Sequence, residues 1–358
     1  MRTQRQNPEQ GFSLMELMVA MALGLLVMTA MASLFKSGMN SVMLVTQRAE
    51  NQQDMRAAVD MMTKDLSLAG AGLPSGGIQL PTGVGSSLSK FGCDQGGTCH
   101  ITSFNYPGNY MYGIIPGYLD GVEAGAVIPM APAPAVNDAV TVVYCDYGFP
   151  YLFENTVTIN ATGTSVTFTP SVAYPSPPLI TAAGGIQKGD LIMFSNNLGT
   201  AVGEATTVSN AGTTGTIAFT DLDPLNINQS TATFNNIKAI AGGANTVAYR
   251  LFAVTYYLTV PAAGQTPRLM RQINGLTPVP VADDIINLQV AYDTYNTTTG
   301  ALDANQANPL GVGESPNNIQ KINLVVMGQS IINNGNKSQN MYLATDISAR
   351  NMAFRNVY

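Results

Sequence analysis

The chain has 358 residues, of which only 11% are charged, with 35 Gly, 20 Pro, one His, no Trp and a formal net charge of −6. Such an acidic, sparsely charged chain is a poor match for nonspecific nucleic-acid binding, which needs clustered lysine and arginine to displace counterions from phosphates. Its Gly-, Thr-, Asn- and Ser-rich make-up suits β-structure with many turns rather than a helical enzyme, and its length exceeds the usual single domain, although large all-β units reach about 200 to 250 residues.

The first predicted element begins with a short basic leader, Arg2 and Arg5, that ends at Gly11 and runs into FSLMELMVAMALGLLVMTAMASLF, where Glu16 is the one charge. Leu17 to Phe35 carries no charge over nineteen residues. As a helix that stretch measures about 28 Å, enough to cross a bilayer, and the arginines favour a cytoplasmic leader. A secretory signal is cut after its apolar run at small residues; here Gly11 precedes the run, so the span is kept after processing. An ionised carboxylate in hydrocarbon costs roughly 2.5 kcal/mol or more, so Glu16 demands a partner.

Gly11-Phe12-Ser13-Leu14 followed by Glu16 resembles the leader motif of type IV prepilins and type II secretion pseudopilins. The resemblance implies that a prepilin peptidase cuts between Gly11 and Phe12 and methylates the new Phe12 amine. Glu16 is then expected to pair with that amine, in its own or a neighbouring subunit, and to set axial register inside an apolar helix bundle. Removing residues 1–11, with Arg2, Arg5 and Glu9, takes the net charge from −6 to −7. Ala20, Gly24, Ala30 and Ala32 allow close helix approach, and Met15, Met18, Met21, Met28 and Met31 read as flexible packing side chains rather than ligands.

From Asn40 onward Val45, Ala49, Met55, Val59, Met62, Leu66 and Ala69 recur at spacings of three and four, with Gln52 as one polar interruption. Neither Pro nor Gly interrupts Asn40 to Ala69, and Gly70-Ala71-Gly72-Leu73-Pro74 supplies a stop. The spacing predicts one helix from Phe12 to Ala69, about 87 Å long, with Gly24 and Gly38 as points where it could bend. The expected organisation is a leader at 1–11, a membrane segment at 12–35, an amphipathic continuation at 36–70 and a β-rich head at 71–358.

Beyond Pro74 the period becomes two. Thr156 to Asn160 and Ser165 to Thr169 flank Ala-Thr-Gly-Thr as a hairpin, and Ala205 to Ser209 with Thr216 to Thr220 form a second strand pair. Gly189 to Phe194 enters a buried strand, and Val247 to Val260 reads as a long one. Ile286, Leu288, Val290 and Tyr292 share one face of a strand, as do Ile322, Leu324 and Val326 of another. One-sided strands need a core and the helix stripe needs a cover, which makes the fold class α+β, a long N-terminal helix packed on a β-rich, pilin-like head.

Asp65-Leu66-Ser67-Leu68-Ala69-Gly70, Gly189-Asp190, Tyr256-Tyr257, Pro267-Arg268-Leu269-Met270-Arg271, Ile286 to Asp293 and Ser348-Ala349-Arg350-Asn351 together resemble the landmarks of the PilW family of minor pilins. Gly76 to about Gln187 matches no landmark and marks a divergent segment of the head. The resemblance implies a structural subunit that initiates a type IV pilus or forms its tip. It implies as partners other minor pilins, the major pilin, prepilin peptidase, the inner membrane and the assembly platform. The expected location is a single-pass inner-membrane chain with a periplasmic head, then the pilus tip at the cell surface. Two alternatives share the leader: a pseudopilin of the type II secretion tip, and a pilus-tip adhesin whose middle segment binds a surface ligand.

Cys93, Cys99 and Cys145 would lie where disulfides persist. Cys93 and Cys99 bracket a Gly-rich loop and are the favoured pair, with Cys145 as the rival partner of either; a Cys145 outside the bridge is buried at the end of a strand or paired between subunits. His100 follows Cys99, but the cysteine spacing is wrong for haem attachment or a zinc finger, and an exposed His is expected. Asp221 with Asp223, and Asp120 with Glu123, have calcium-type chemistry yet read better as turn carboxylates, as does Asp283-Asp284. A serine nucleophile lacks a base in context, and no phosphate-cradling loop is present, so no catalytic residue, cofactor or metal is assigned and the chain is not read as an enzyme.

Overall fold

In the computed structural model the described residues are 12–81, 91–94, 96, 98–101, 110–123, 126, 128, 137–147, 155–169, 185–211, 214–262, 265–332 and 337–353. The expected leader, with Gly11, and much of the divergent segment lie outside them.

Helix α1 runs without a break over Leu14–Ser67, 54 residues or about 80 Å. Ser13 caps its start: the Ser13 hydroxyl accepts from the Glu16 amide at 3.2 Å and the Ser13 amide donates to the Glu16 carboxylate at 3.0 Å. This reciprocal pair satisfies two helix-end donors that would otherwise lack partners. Neither Gly24 nor Gly38 breaks the helix, and both sit in open space. At the far end Gly70 and Gly72 take positive φ of 75°, which glycine adopts without steric cost, and a side chain at Gly72 would strike Cys145 and Tyr147.

Seventeen strands follow among the described residues, grouped in four sheets. A two-stranded ribbon, β1 (Ile78–Gln79) with β2 (Tyr110–Met111), comes first. The largest sheet has the order β13 (Val279–Asp283), β12 (Arg268–Ile273), β11 (Val247–Thr259), β4 (Ala139–Cys145), β3 (Ile114–Gly117). In it β7 (Leu191–Asn196) pairs with the first half of β11 and with β8 (Gly199–Glu204). The third sheet, β5 (Thr156–Ile159), β6 (Ser165–Thr169), β10 (Thr214–Ala218), β9 (Thr207–Ala211), joins the two expected hairpins through a β6–β10 pairing. In the second hairpin the strands begin and end two residues nearer the turn than the alternation suggested. The fourth sheet is β15 (Ala301–Gln306), β14 (Ile285–Asn296), β16 (Ile319–Ile332), β17 (Lys337–Ser348), and a helical turn α2 (Arg350–Ala353) closes the described chain.

The end of α1 lies against β13, β16 and β17 and buries Met55, Ala58, Val59, Met62 and Leu66. These side chains meet Val254, Tyr256 and Leu258 of β11, Leu288 and Val290 of β14, and Leu324 and Val326 of β16 in one core. The opposite face of β11 packs Leu251, Ala253 and Tyr257 into a second core, which explains why that strand reads as nearly continuous apolar sequence. Sheet on helix is therefore the arrangement observed.

The helix stripe is shorter than its sequence suggested. Val45 and Ala49 are exposed, because the sheets reach only as far as Asn51, the first buried helical residue. Gln52 points to solvent, whereas two polar residues that the spacing did not single out, Asn51 and Asp65, are buried at 4% exposure each.

Candidate assembly site

The two ends of α1 present different chemistry. Phe12 is 89% exposed, and from Leu14 to Phe35 the leucines, methionines and valines stand clear of every other described element. Large contiguous apolar surface of this kind marks a protein or membrane contact. This helix is the one among the described residues that is long and apolar enough to cross a membrane. Glu16 sits in the first turn of that surface with its carboxylate on the Ser13 amide, so it has a local partner besides the amine proposed for it. The S-x-x-E spacing of Ser13 and Glu16 was the signal for that cap.

At the other end Asp65 ties the helix to the largest sheet. It accepts hydrogen bonds from the Tyr256 hydroxyl at 2.6 Å, the Tyr144 hydroxyl at 3.3 Å and the Arg271 Nε at 2.8 Å. Burial, and next the charge of Asp65, push both phenols far above their usual range, so they stay neutral donors at any physiological pH. Arg271 also reaches the Tyr256 hydroxyl at 3.2 Å. A carboxylate on an apolar stripe at i+3 from Met62 was the sequence signal; its partners could not be read locally, since β4, β11 and β12 bring them from 79 to 206 residues away. Three of the landmark segments, at Asp65, Tyr256 and Arg271, meet at this one point.

Cys93 and Cys99 form a disulfide that closes a small loop, and Cys145 lies outside it, buried at the end of β4. His100, expected at the surface, is instead largely covered, with 14% of its side chain exposed. Its Nδ1 is 2.9 Å from Glu123, its Nε2 is 3.6 Å from Asp94, and its ring stacks on Tyr257. The two carboxylates approach opposite ring nitrogens, an arrangement that pins the disulfide loop to the sheet and cannot converge on one metal ion.

Of the carboxylates considered as calcium ligands, Asp221 and Asp223 serve turns, while Glu123 meets His100. Asp221 accepts from the Ser230 amide and hydroxyl, and Asp223 from the Ile227 and Asn228 amides. Asp223 also hydrogen-bonds Glu204, whose carboxyl is pushed up to about 8 by burial and by the neighbouring acid. Among the described residues no group of three His, Cys, Asp or Glu side chains is placed to hold a metal. Of the pair expected in a turn, Asp283 instead ends β13, opposite Arg268 with which it forms an ion pair, and Asp284 alone links β13 to β14 with a positive φ of 59°.

No curated protein and no solved structure matches the chain. Residues 6–32 match the family model of the prokaryotic N-terminal methylation motif, which covers the exposed start of α1 together with Phe12 and Glu16. The motif itself is one that implies processing by prepilin peptidase and assembly with pilins. The start of the chain is thus similar to the start of type IV pilin and pseudopilin precursors.

Proposed function

We propose that the chain is a minor pilin of the PilW kind, which helps to initiate a type IV pilus or forms its tip once the leader has been removed. The observation that carries this reading is a single helix with two fates. Its first half is apolar and uncovered over a stretch that a membrane, or a bundle of like helices, must cover. Its second half is locked into a large β head. A head with four sheets is bulkier than a closely packed shaft accommodates, which supports a terminal position.

In this reading cleavage after Gly11 creates an amine on Phe12, methylation follows, and Glu16 neutralises that amine within the bundle. A charge left alone among apolar helices is strongly disfavoured, so the pair fixes axial register. The chain waits as a single-pass protein of the inner membrane, with its head outside the cytoplasm, before it enters the fibre with other minor pilins and the major pilin. The test is Glu16→Ala in cells: cleavage continues, while recovery of partner pilins with the chain falls. Unchanged recovery would remove the register role. A pseudopilin of the secretion tip shares the matched motif, and loss of secretion rather than of pili on deleting the chain would select it.

A further inference from the structure

β17 is an edge strand unlike the other edges of the head. It is 12 residues long, while the other strands at sheet edges, β3, β5, β8, β9, β13 and β15, have at most six. It pairs with β16 along its whole length, and no described strand pairs with its other side. The orientation of its backbone follows from one hydrogen bond, Ala349 amide to Gln320 carbonyl at 2.9 Å, which fixes the alternation of the antiparallel ladder. Met341, Leu343, Thr345 and Ile347 turn their amides and carbonyls to β16. Asn340, Tyr342, Ala344 and Asp346 turn theirs outward.

Natural edges are usually blunted by proline, lysine, bulges or shortness. β17 holds no proline, its one cation is Lys337 at the first position, and its one acid, Asp346, is held by Lys321 at 3.3 Å. β13, by contrast, carries Pro280, and β3 carries Pro116. On the core side Met341 and Leu343 are only partly covered, so the apolar face of the sheet continues past its last strand.

We propose that β17 takes up an extended segment from another pilin-type subunit as a further strand of this sheet. The inference rests on the pilin reading above, and what singles out the occupant is position. The edge lies beside α1, the helix whose exposed half is the assembly surface; Met341 pairs with Gly328, which abuts Asn51 and Met55, and α2 just beyond the strand bonds Ser67. The strand therefore runs alongside the helix in the same direction. A subunit that packs its helix on the exposed half of α1 sets its head next to this edge. Every strand pair described in the head is antiparallel, and two copies of the chain joined in that way through β17 would point their helices in opposite directions, which chains inserted in one membrane cannot do. The occupant is accordingly a strand of a different subunit, apolar at alternate positions so as to cover Met341 and Leu343, held chiefly by backbone hydrogen bonds.

Proline at an outward position removes an amide that the fold does not use. The experiment is co-purification of the full chain, in detergent, with the other pilin-type subunits of its own cell, comparing wild type, Ala344→Pro, Ala344→Thr and Glu16→Ala. Loss of the one outward hydrogen bond of the Ala344 amide predicts a fall of about fivefold in recovered partner for Ala344→Pro, with Ala344→Thr near wild type and the unfolding midpoint unchanged. Partner recovery that falls with Glu16→Ala but not with Ala344→Pro overturns the edge inference alone. Recovery that falls with neither overturns the edge inference and removes the register role of Glu16 as well. Should Ala344→Pro lower the unfolding midpoint, hydrogen exchange of the wild-type complex decides: slowed Tyr342, Ala344 and Asp346 amides support strand addition, and unchanged amides overturn it. Recovery of a second copy of the chain on this edge, in place of another subunit, also overturns it.

Discussion

The two halves of α1 have similar helix-forming sequence and very different surroundings. From Leu14 to Glu50 the helix is exposed on nearly every side; from Asn51 to Ser67 one face is buried by three strands and held by a carboxylate. From Leu14 to Phe35 apolar residues encircle the helix, as expected where the surrounding medium is itself apolar. In the second half they narrow to a stripe, and polar residues cover the rest. The difference teaches that a long helix can be continuous in backbone and yet belong to two environments, with the change at Asn51 set by where the sheets end rather than by a break in the helix.

The contrast can be broken most severely at Asp65. Asp65→Ala removes the acceptor of two buried phenols and leaves the Arg271 guanidinium, 17% exposed, without its carboxylate. Loss of one partner from a buried pair costs about 3 to 5 kcal/mol, measurable as a lower unfolding midpoint of the detergent-solubilised chain. Leu66→Ala, in the same face and fully buried, is expected to cost about 2 to 5 kcal/mol, whereas Leu25→Ala in the exposed half changes head stability by less than about 0.5 kcal/mol. Equal effects from Leu66→Ala and Leu25→Ala would erase the distinction between the halves.

Replacing both Cys93 and Cys99 by serine opens a loop with a sequence separation of 6, which predicts a loss of about 2 kcal/mol in the head and none in membrane insertion. A further effect concerns pH. Burial, and next the neighbouring Asp223, push the Glu204 carboxyl up to about 8 from 4.5, so the folded state keeps a proton that the unfolded state has released. Its contribution to stability is present below about pH 4.5 and is lost as the pH rises towards 8. A plot of unfolding midpoint against pH should slope downward over that window in wild type and flatten in Glu204→Gln; an identical slope in both would remove Glu204 as the cause.

Much of the architecture was legible in the sequence because its signals are local. The 156–169 hairpin announces itself through alternation around a Gly turn, β11 through its long apolar run, and the end of α1 through Gly70 and Gly72. The Cys93–Cys99 bridge was legible because its loop is short and Gly-rich. What could not be read depends on contacts distant in sequence. The spacing alone carried the stripe through Val45 and Ala49, since periodicity says which face is apolar and nothing about how far its cover extends. His100 was expected in solvent because neither Glu123 nor Tyr257 is near it in the chain. Asp65 stood among the landmark residues, yet its role emerged only when three strands delivered Tyr144, Tyr256 and Arg271 to it.

The central claim is that the exposed half of α1 is a processed assembly segment, and intact-mass measurement of the chain purified from its own cells tests it most directly. A mature chain that starts at Phe12, with a mass one methyl group above that of residues 12–358 with the Cys93–Cys99 bridge closed, is the predicted result. A mature chain that still starts at Met1 would contradict it.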